Sequence, residues 1–264
     1  MNPSAPEHAR ERQGRVARCL DRIGYDGPLD VTADTLRRLH HAHLLAVPFE
    51  NLDIHRGCSI VLDFDALFDK VVGRRRGGFC YELNGLFGWL LGELGFDVTM
   101  ISARVANERG ELSPEFDHMA LLVRLDRVWL ADVGFGASSR EPLPLDESEE
   151  QQWDGVAYAL ARDGAGWMLI GRDEHGVRPQ YRFTPLARQF EEFEPMCRYH
   201  QTSPESHFTR KRVCSLATSE GRVTLSDMRL IVTRGAERSE RHLADDAEYA
   251  TTLRELFGIE LSAE

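Results

Sequence analysis

Apolar residues recur at spacings of three and four through the first third of the chain, and at spacings of two or in β-branched runs after it. In RERQGRVARCLDRIGY, Val16, Cys19, Leu20 and Ile23 form one stripe of a helix that Gly24 ends. Thr32 reads as the N-cap of a second helix, TADTLRRLHHAHLLA, which stops near Pro48 because the residue before a proline avoids the α region. Asp63 opens a third, with Leu67, Phe68, Val71 and Val72 on one face and Gly73 after it. A fourth starts at or just after Cys80. Leu83, Leu86, Phe87, Leu90, Leu91 and Leu94 keep the helical rhythm, and Gly95 stands where a helix-ending glycine belongs.

Past Gly95 the segments FDVTMISARV, HMALLVRL, RVWLADVGFG, GWMLIG and QYRFTPL read as strands of an antiparallel sheet or barrel. The acidic stretch PLDESEEQQWDG reads as a solvated loop. A helix is expected within QFEEFEPMCRYHQTSPESHF, a hairpin about Glu220 and Gly221, and a strand in DMRLIVTRG. Asp245 or Asp246 caps a last helix whose inner face is Tyr249, Leu253, Leu256 and Phe257. The fold class is therefore α+β.

A chain of 264 residues with 42% hydrophobic content can bury a sizeable core. No run approaches the roughly 18 apolar residues of a membrane span, and the amino-terminal stretch has no apolar signal core, so no membrane partner and a cytoplasmic location are expected. Five scattered cysteines without a CxxC pair read as free thiols, with neither a disulfide framework nor a metal site. A formal net charge of -11 argues against a nucleic-acid partner. Arg198, Arg210, Lys211 and Arg212 read as surface charge.

Cys80 follows the pair Gly77-Gly78 and opens a helix, where unpaired N–H groups and the macrodipole favour an anion and Arg76 adds positive potential. That placement suits a nucleophilic thiolate. His118 begins one strand, and Asp132 lies in an apolar run on the next, where a buried carboxylate requires a partner such as an imidazole N–H. His40, His41 and His43, within one helix, read as surface or hydrogen-bonded residues. A nucleophile, a base and an acid that orients the base make a catalytic set. The set carries a geometric condition: a two-residue turn at Asp126-Arg127 would put His118 and Asp132 on opposite faces, so a three-residue turn or a bulge is required.

With VPFENLDIHRG, RRGGFCYELNGLF, the FDHMALLV and LADVGFG pair, YHQTSPESHF and VCSLAT in this order, the chain resembles the arylamine N-acetyltransferases. The resemblance implies a catalytic triad of Cys80, His118 and Asp132 in a cysteine-protease-like core. It implies a helical bundle over 1–95, a central antiparallel β-barrel over 96–195 and an α/β lid over 196–264. The reaction implied is ping-pong: an acetyl group passes from acetyl-coenzyme A to the cysteine and then to an arylamine or hydrazine, with no permanently bound cofactor. Phe79 and Gly134, Phe135 and Gly136 resemble the family's segments beside the thiol, with Phe135 walling the acceptor pocket. Tyr199 matches a tyrosine that contacts coenzyme A in eukaryotic members, and Glu205 departs from the small hydroxyl residue found there. Glu50 and Arg76 resemble a structural ion pair. The same triad order also fits a cysteine hydrolase or transglutaminase-type acyl transferase, an amide synthase acting on a carrier-bound polyketide, or a binding module with an inert thiol. Oligomeric state and the physiological acceptor stay open.

Overall fold

The computed structural model describes residues 5–136, 139–146, 150–153, 155–174, 176–235 and 237–261. Helix α1 (Ala5–Arg22) ends ahead of Gly24, whose positive φ of 66° turns the chain away. Helix α2 (Ala33–Ala46) starts where the Thr32 hydroxyl accepts the Thr35 N–H at 3.2 Å. Strand β1 (Phe49–Glu50) and helix α3 (Leu52–His55) follow. Helix α4 (Phe64–Phe68) is capped by Asp63 and runs into a π turn at Asp69–Gly73. Helix α5 (Cys80–Glu93) sets its apolar face into a core with Leu36, Leu39, Val71, Leu121 and Trp129.

Eight antiparallel strands form a nearly closed barrel: β2 (Asp97–Val105), β3 (His118–Arg124), β4 (Val128–Ala131), β5 (Leu143–Pro144), β6 (Gln151–Trp153), β7 (Val156–Asp163), β8 (Gly166–Asp173) and β9 (Gly176–Ala187). Their spatial order is β5-β4-β3-β2-β9-β8-β7-β6. The Gln151 amide spans the gap between the two edges, donating to Pro142 O at 2.9 Å and accepting from Glu141 N at 3.2 Å. Ile101, Leu122, Leu130, Leu160, Trp167 and Phe183 fill the interior.

The last part contains α6 (Glu194–Thr202), α7 (His207–Arg210), strands β10 (Val213–Thr218), β11 (Gly221–Ser226), β12 (Arg229–Arg234) and β13 (Glu237–His242), and helix α8 (Asp246–Phe257). Strand β1 pairs with β10, so this five-stranded sheet begins in the helical region. Tyr249, Leu253 and Phe257 of α8 pack on it with Leu225 and Leu230, and Asp245 is the cap.

The structure departs from the sequence pattern at several points. Leu256 is 41% exposed rather than inward, because the buried stripe of α8 is one residue narrower. The third helix widens at its end, where Arg74 N donates to Asp69 O five residues back, and the wider turn carries Lys70 inward. The acidic loop contains the edge strand β6; residues 147–149 and 154 of that stretch lie outside the described residues. Strands β7 and β13 were not anticipated. The latter, ERSERH, is wholly exposed and has no apolar alternation to reveal it.

The condition on β3 and β4 is met. Arg124 pairs with Val128, leaving Leu125, Asp126 and Arg127 as a three-residue turn closed by Leu125 N to Arg127 O at 2.9 Å. Leu121 therefore faces Ala131, and the next position, Asp132, falls opposite Ala120 on the face that His118 shares.

A candidate thiol active site

Cys80 is the first residue of α5, and Phe79 precedes it as the cap. The Glu82 carboxylate reaches back to accept the Phe79 N–H at 3.1 Å. Two glycines admit backbone approaches that a side chain would block. A Cβ on Gly77 would lie 1.9 Å from Pro48 O, and one on Gly134 would lie 2.7 Å from the Cys80 Cα.

Below the helix start lies a buried cluster of five charges. Arg76 Nη2 meets Glu50 Oε1 at 2.8 Å and Asp53 Oδ1 at 2.9 Å, while Lys70 Nζ meets Asp53 Oδ2 at 2.7 Å and Glu82 Oε1 at 2.8 Å. Burial would raise the Asp53 carboxyl, but Lys70 and Arg76 hold it below its ordinary range. Arg76 is thus engaged by carboxylates, and the positive potential expected of it at the thiol is largely neutralised.

The resting thiol also differs from the easily ionised one expected. Cys80 is buried, and burial pushes its thiol well up; the Asp117 and Asp132 carboxylates add to this, while the Met119 N–H opposes it. A thiolate here needs a cation formed beside it.

His118 Nε2 lies 2.7 Å from Asp132 Oδ2, which leaves Nδ1 as the ring nitrogen not engaged by that carboxylate. Asp132 is just past the end of β4, with a side chain only 4% exposed, and its two oxygens meet four donors. Oδ2 also accepts the Tyr181 hydroxyl at 2.8 Å; Oδ1 accepts Asn84 Nδ2 at 2.8 Å and Gly134 N at 2.9 Å. Burial would raise this carboxyl, yet His118, Asn84 and Gly134 hold it below the usual range. Asp132 is a carboxylate, and its Oδ2 fixes the orientation of the His118 ring.

Asn84 and Tyr181 were not singled out from the sequence, and His40 was named there only as a surface or hydrogen-bonded residue. Asn84 stands four residues after Cys80, on the same face of α5, and that spacing was an available signal. It also donates to Met119 O at 2.7 Å and accepts Val133 N at 3.0 Å, joining helix to barrel. His40 is fully buried: its Nδ1 lies 3.1 Å from Arg140 O, and its Nε2 lies 3.1 Å from Asp132 O and 3.3 Å from Asp132 N. The neutral tautomer with Nδ1–H donates to Arg140 O and accepts Asp132 N–H at Nε2, whereas the tautomer with Nε2–H donates to Asp132 O instead. Tyr181 sits on β9, and no local pattern connects it to Asp132.

Cys80 and His118 line one cleft of about 380 Å³ with Asp117, Gly134, Phe135, His207 and Lys211; Phe49, Val105, Phe208 and Val213 complete its wall. Phe135 packs edge-on to the His118 ring at 5.1 Å. Lys211 is accordingly a cleft residue, whereas Arg212 lies over the Tyr249 ring. Phe79 lies behind the thiol, fully buried against Tyr81 and Phe208. Gly136, at φ 81°, packs beside Phe49, and Tyr199 is exposed on α6; neither lines the cleft. Among the described residues no cluster of His, Cys, Asp and Glu is arranged to hold a metal ion, and no helix is long and apolar enough to cross a membrane.

A family model described as N-acetyltransferase matches residues 32–264. Arylamine N-acetyltransferase 2 of Mus musculus is 33% identical over 269 residues, covering 92% of this chain and 93% of that protein. The solved arylamine N-acetyltransferase of Salmonella typhimurium superposes with a TM-score of 0.88 at 30% identity, over 94% of this chain and 92% of that one. The Mycobacterium marinum arylamine N-acetyltransferase in complex with CoA gives 0.86 at 34% identity, over 92% of each chain.

Proposed function

This chain belongs to the arylamine N-acetyltransferase family, and from that membership together with its cleft we propose that it moves the acetyl group of acetyl-coenzyme A to arylamines and hydrazines through an acetyl-cysteine at Cys80. The observation that carries the reading is the cleft itself, in which Cys80 shares a lining with His118 and His118 is held by Asp132 at 2.7 Å.

In this reading His118 Nδ1 takes the Cys80 proton. The thiolate forms beside the imidazolium that Asp132 supports, which offsets the burial of the sulfur. The sulfur attacks the thioester carbonyl carbon, and the first N–H groups of α5, unused by any preceding turn, stabilise the oxyanion. The bond from carbon to the coenzyme A sulfur breaks, and that sulfur leaves with the proton from His118. In the second half the acceptor nitrogen attacks the acetyl carbon, and the bond from carbon to the Cys80 sulfur breaks. His118 passes the proton lost by nitrogen to the Cys80 sulfur, restoring the thiol. Phe135 and Phe208 supply apolar walls for an aromatic acceptor. The division into 1–95, 96–195 and 196–264 fits this scheme, since nucleophile, base with acid, and far wall come from successive parts.

Intact-protein mass spectrometry after brief mixing with acetyl-coenzyme A tests the proposal. A single acetyl adduct is expected on the wild type, absent from Cys80→Ala and discharged by an added arylamine or hydrazine. No adduct on the wild type overturns it.

A further inference from the structure

Asp117 immediately precedes His118 and lines the same cleft, yet the transfer chemistry makes no use of it. Its side chain is 15% exposed, and Oδ1 lies 3.2 Å from Nε2 of His200, which is buried on α6. His200 is fixed in turn: Nδ1 meets Ser206 Oγ at 3.1 Å, and its ring packs on Tyr81 and Phe208. Burial would raise the Asp117 carboxyl, but hydrogen bonds from His200 and Ser113 hold it below its ordinary range. It is a carboxylate at neutral pH, and it lies near enough to the sulfur to disfavour a thiolate there.

The other titratable or charged groups of the lining are Cys80, His118, His207 and Lys211. Burial holds His207 below the ordinary histidine range, so it is neutral near pH 7. Lys211 is the opposing charge, but it is exposed, where water and salt screen it. The rest of the wall is apolar, and a fixed charge beside apolar walls acts on a ligand with less screening than an exposed one.

Resting on the acetyl-transfer reading, we infer that Asp117 is the polar anchor of the acceptor site, selecting amines that carry a second N–H donor or a cationic group and disfavouring those that carry a carboxylate. His200 is a positioning residue for that anchor, holding the carboxylate between barrel and lid.

The test compares 4-(aminomethyl)aniline, cationic at its side group, with 4-aminobenzoate as acceptors for acetylated enzyme. The ratio of their kcat/KM values, cation over anion, is expected to fall at least about tenfold in Asp117→Asn relative to wild type. Taking the ratio cancels intrinsic amine reactivity and any change in the donor half. A ratio unchanged within about twofold overturns the inference. Competitive inhibition of the wild type needs no variant: benzylammonium is expected to bind at least about tenfold more tightly than benzoate, and tighter benzoate also overturns it. The inhibitors are read against loss of thiol alkylation by iodoacetamide as well as against turnover. Failure to form acetyl-Cys80 would therefore sink the acetyl-transfer reading and leave the charge preference separately measured.

Discussion

Asp132 keeps its charge in an enclosed setting because His118, Tyr181, Asn84 and Gly134 direct four donors at its two oxygens. Each hydrogen bond to a buried charge contributes about 1.5–3 kcal/mol. Tyr181→Phe removes one donor without altering the ring that packs on His118. The expected result is about a tenfold slower acetylation of Cys80, measured by quenched mass spectrometry, with stability to urea lowered by about 1–2 kcal/mol. An unchanged acetylation rate would show that the hydroxyl does not support the imidazolium. At this scale the residues of the proposed triad stood out because a cysteine at a helix start and a carboxylate in an apolar run are each unusual. Tyr181 was not, because a tyrosine in a strand is ordinary until its hydroxyl finds a partner 49 residues away.

At the scale of elements, α5 is held in place at its start by chemistry as well as by packing. Glu82 serves twice, capping the Phe79 N–H and pairing with Lys70, which the π turn carries into the interior. Lys70→Met would leave Glu50, Asp53 and Glu82 facing Arg76 alone. Breaking a buried pair in this way costs about 3–5 kcal/mol, measurable by urea unfolding. A loss under about 1 kcal/mol would mean that one of the carboxyls takes up a proton instead. The caps Thr32, Asp63 and Asp245 were readable because a cap acts within three residues. The π turn was hidden because Lys70 turns inward only for partners at 53 and 82. Strand β13 was hidden because an exposed edge strand pairs through its backbone and needs no apolar alternation.

For the whole molecule, the histidines of α2 tie stability to pH. Burial lowers His40 to about 4 and His43 to about 3. His43 packs on Phe87, and its ring nitrogens have no hydrogen-bond partner among the described residues. With an unfolded value near 6.5, the unfolded chain binds the protons first as pH falls, so stability is lost from about pH 6.5 downward. Between pH 7 and pH 5 each histidine should subtract about 2 kcal/mol. The check is the urea midpoint at both pH values, with His43→Leu expected to remove about half of the dependence. An equal slope in the variant would place the titrating group elsewhere. Below about pH 4 a further loss is expected as Asp53 and Asp132, both held low when folded, begin to take up protons.

Most of the helices and strands, the caps, the cysteine at the head of α5 and the need for a three-residue turn or a bulge between His118 and Asp132 were determined by the sequence itself. Each depends on periodicity or on neighbours a few residues away, and those interactions exist in any compact arrangement of the chain. Tertiary structure alone decided how hard the Cys80 thiol is to ionise, which side chains surround Asp132, that His40 grips its backbone, and that Asp117 and Lys211 share a cleft. Desolvation and Coulomb interactions sum over groups brought together from tens of residues apart, and that sum has no value until the chain has folded.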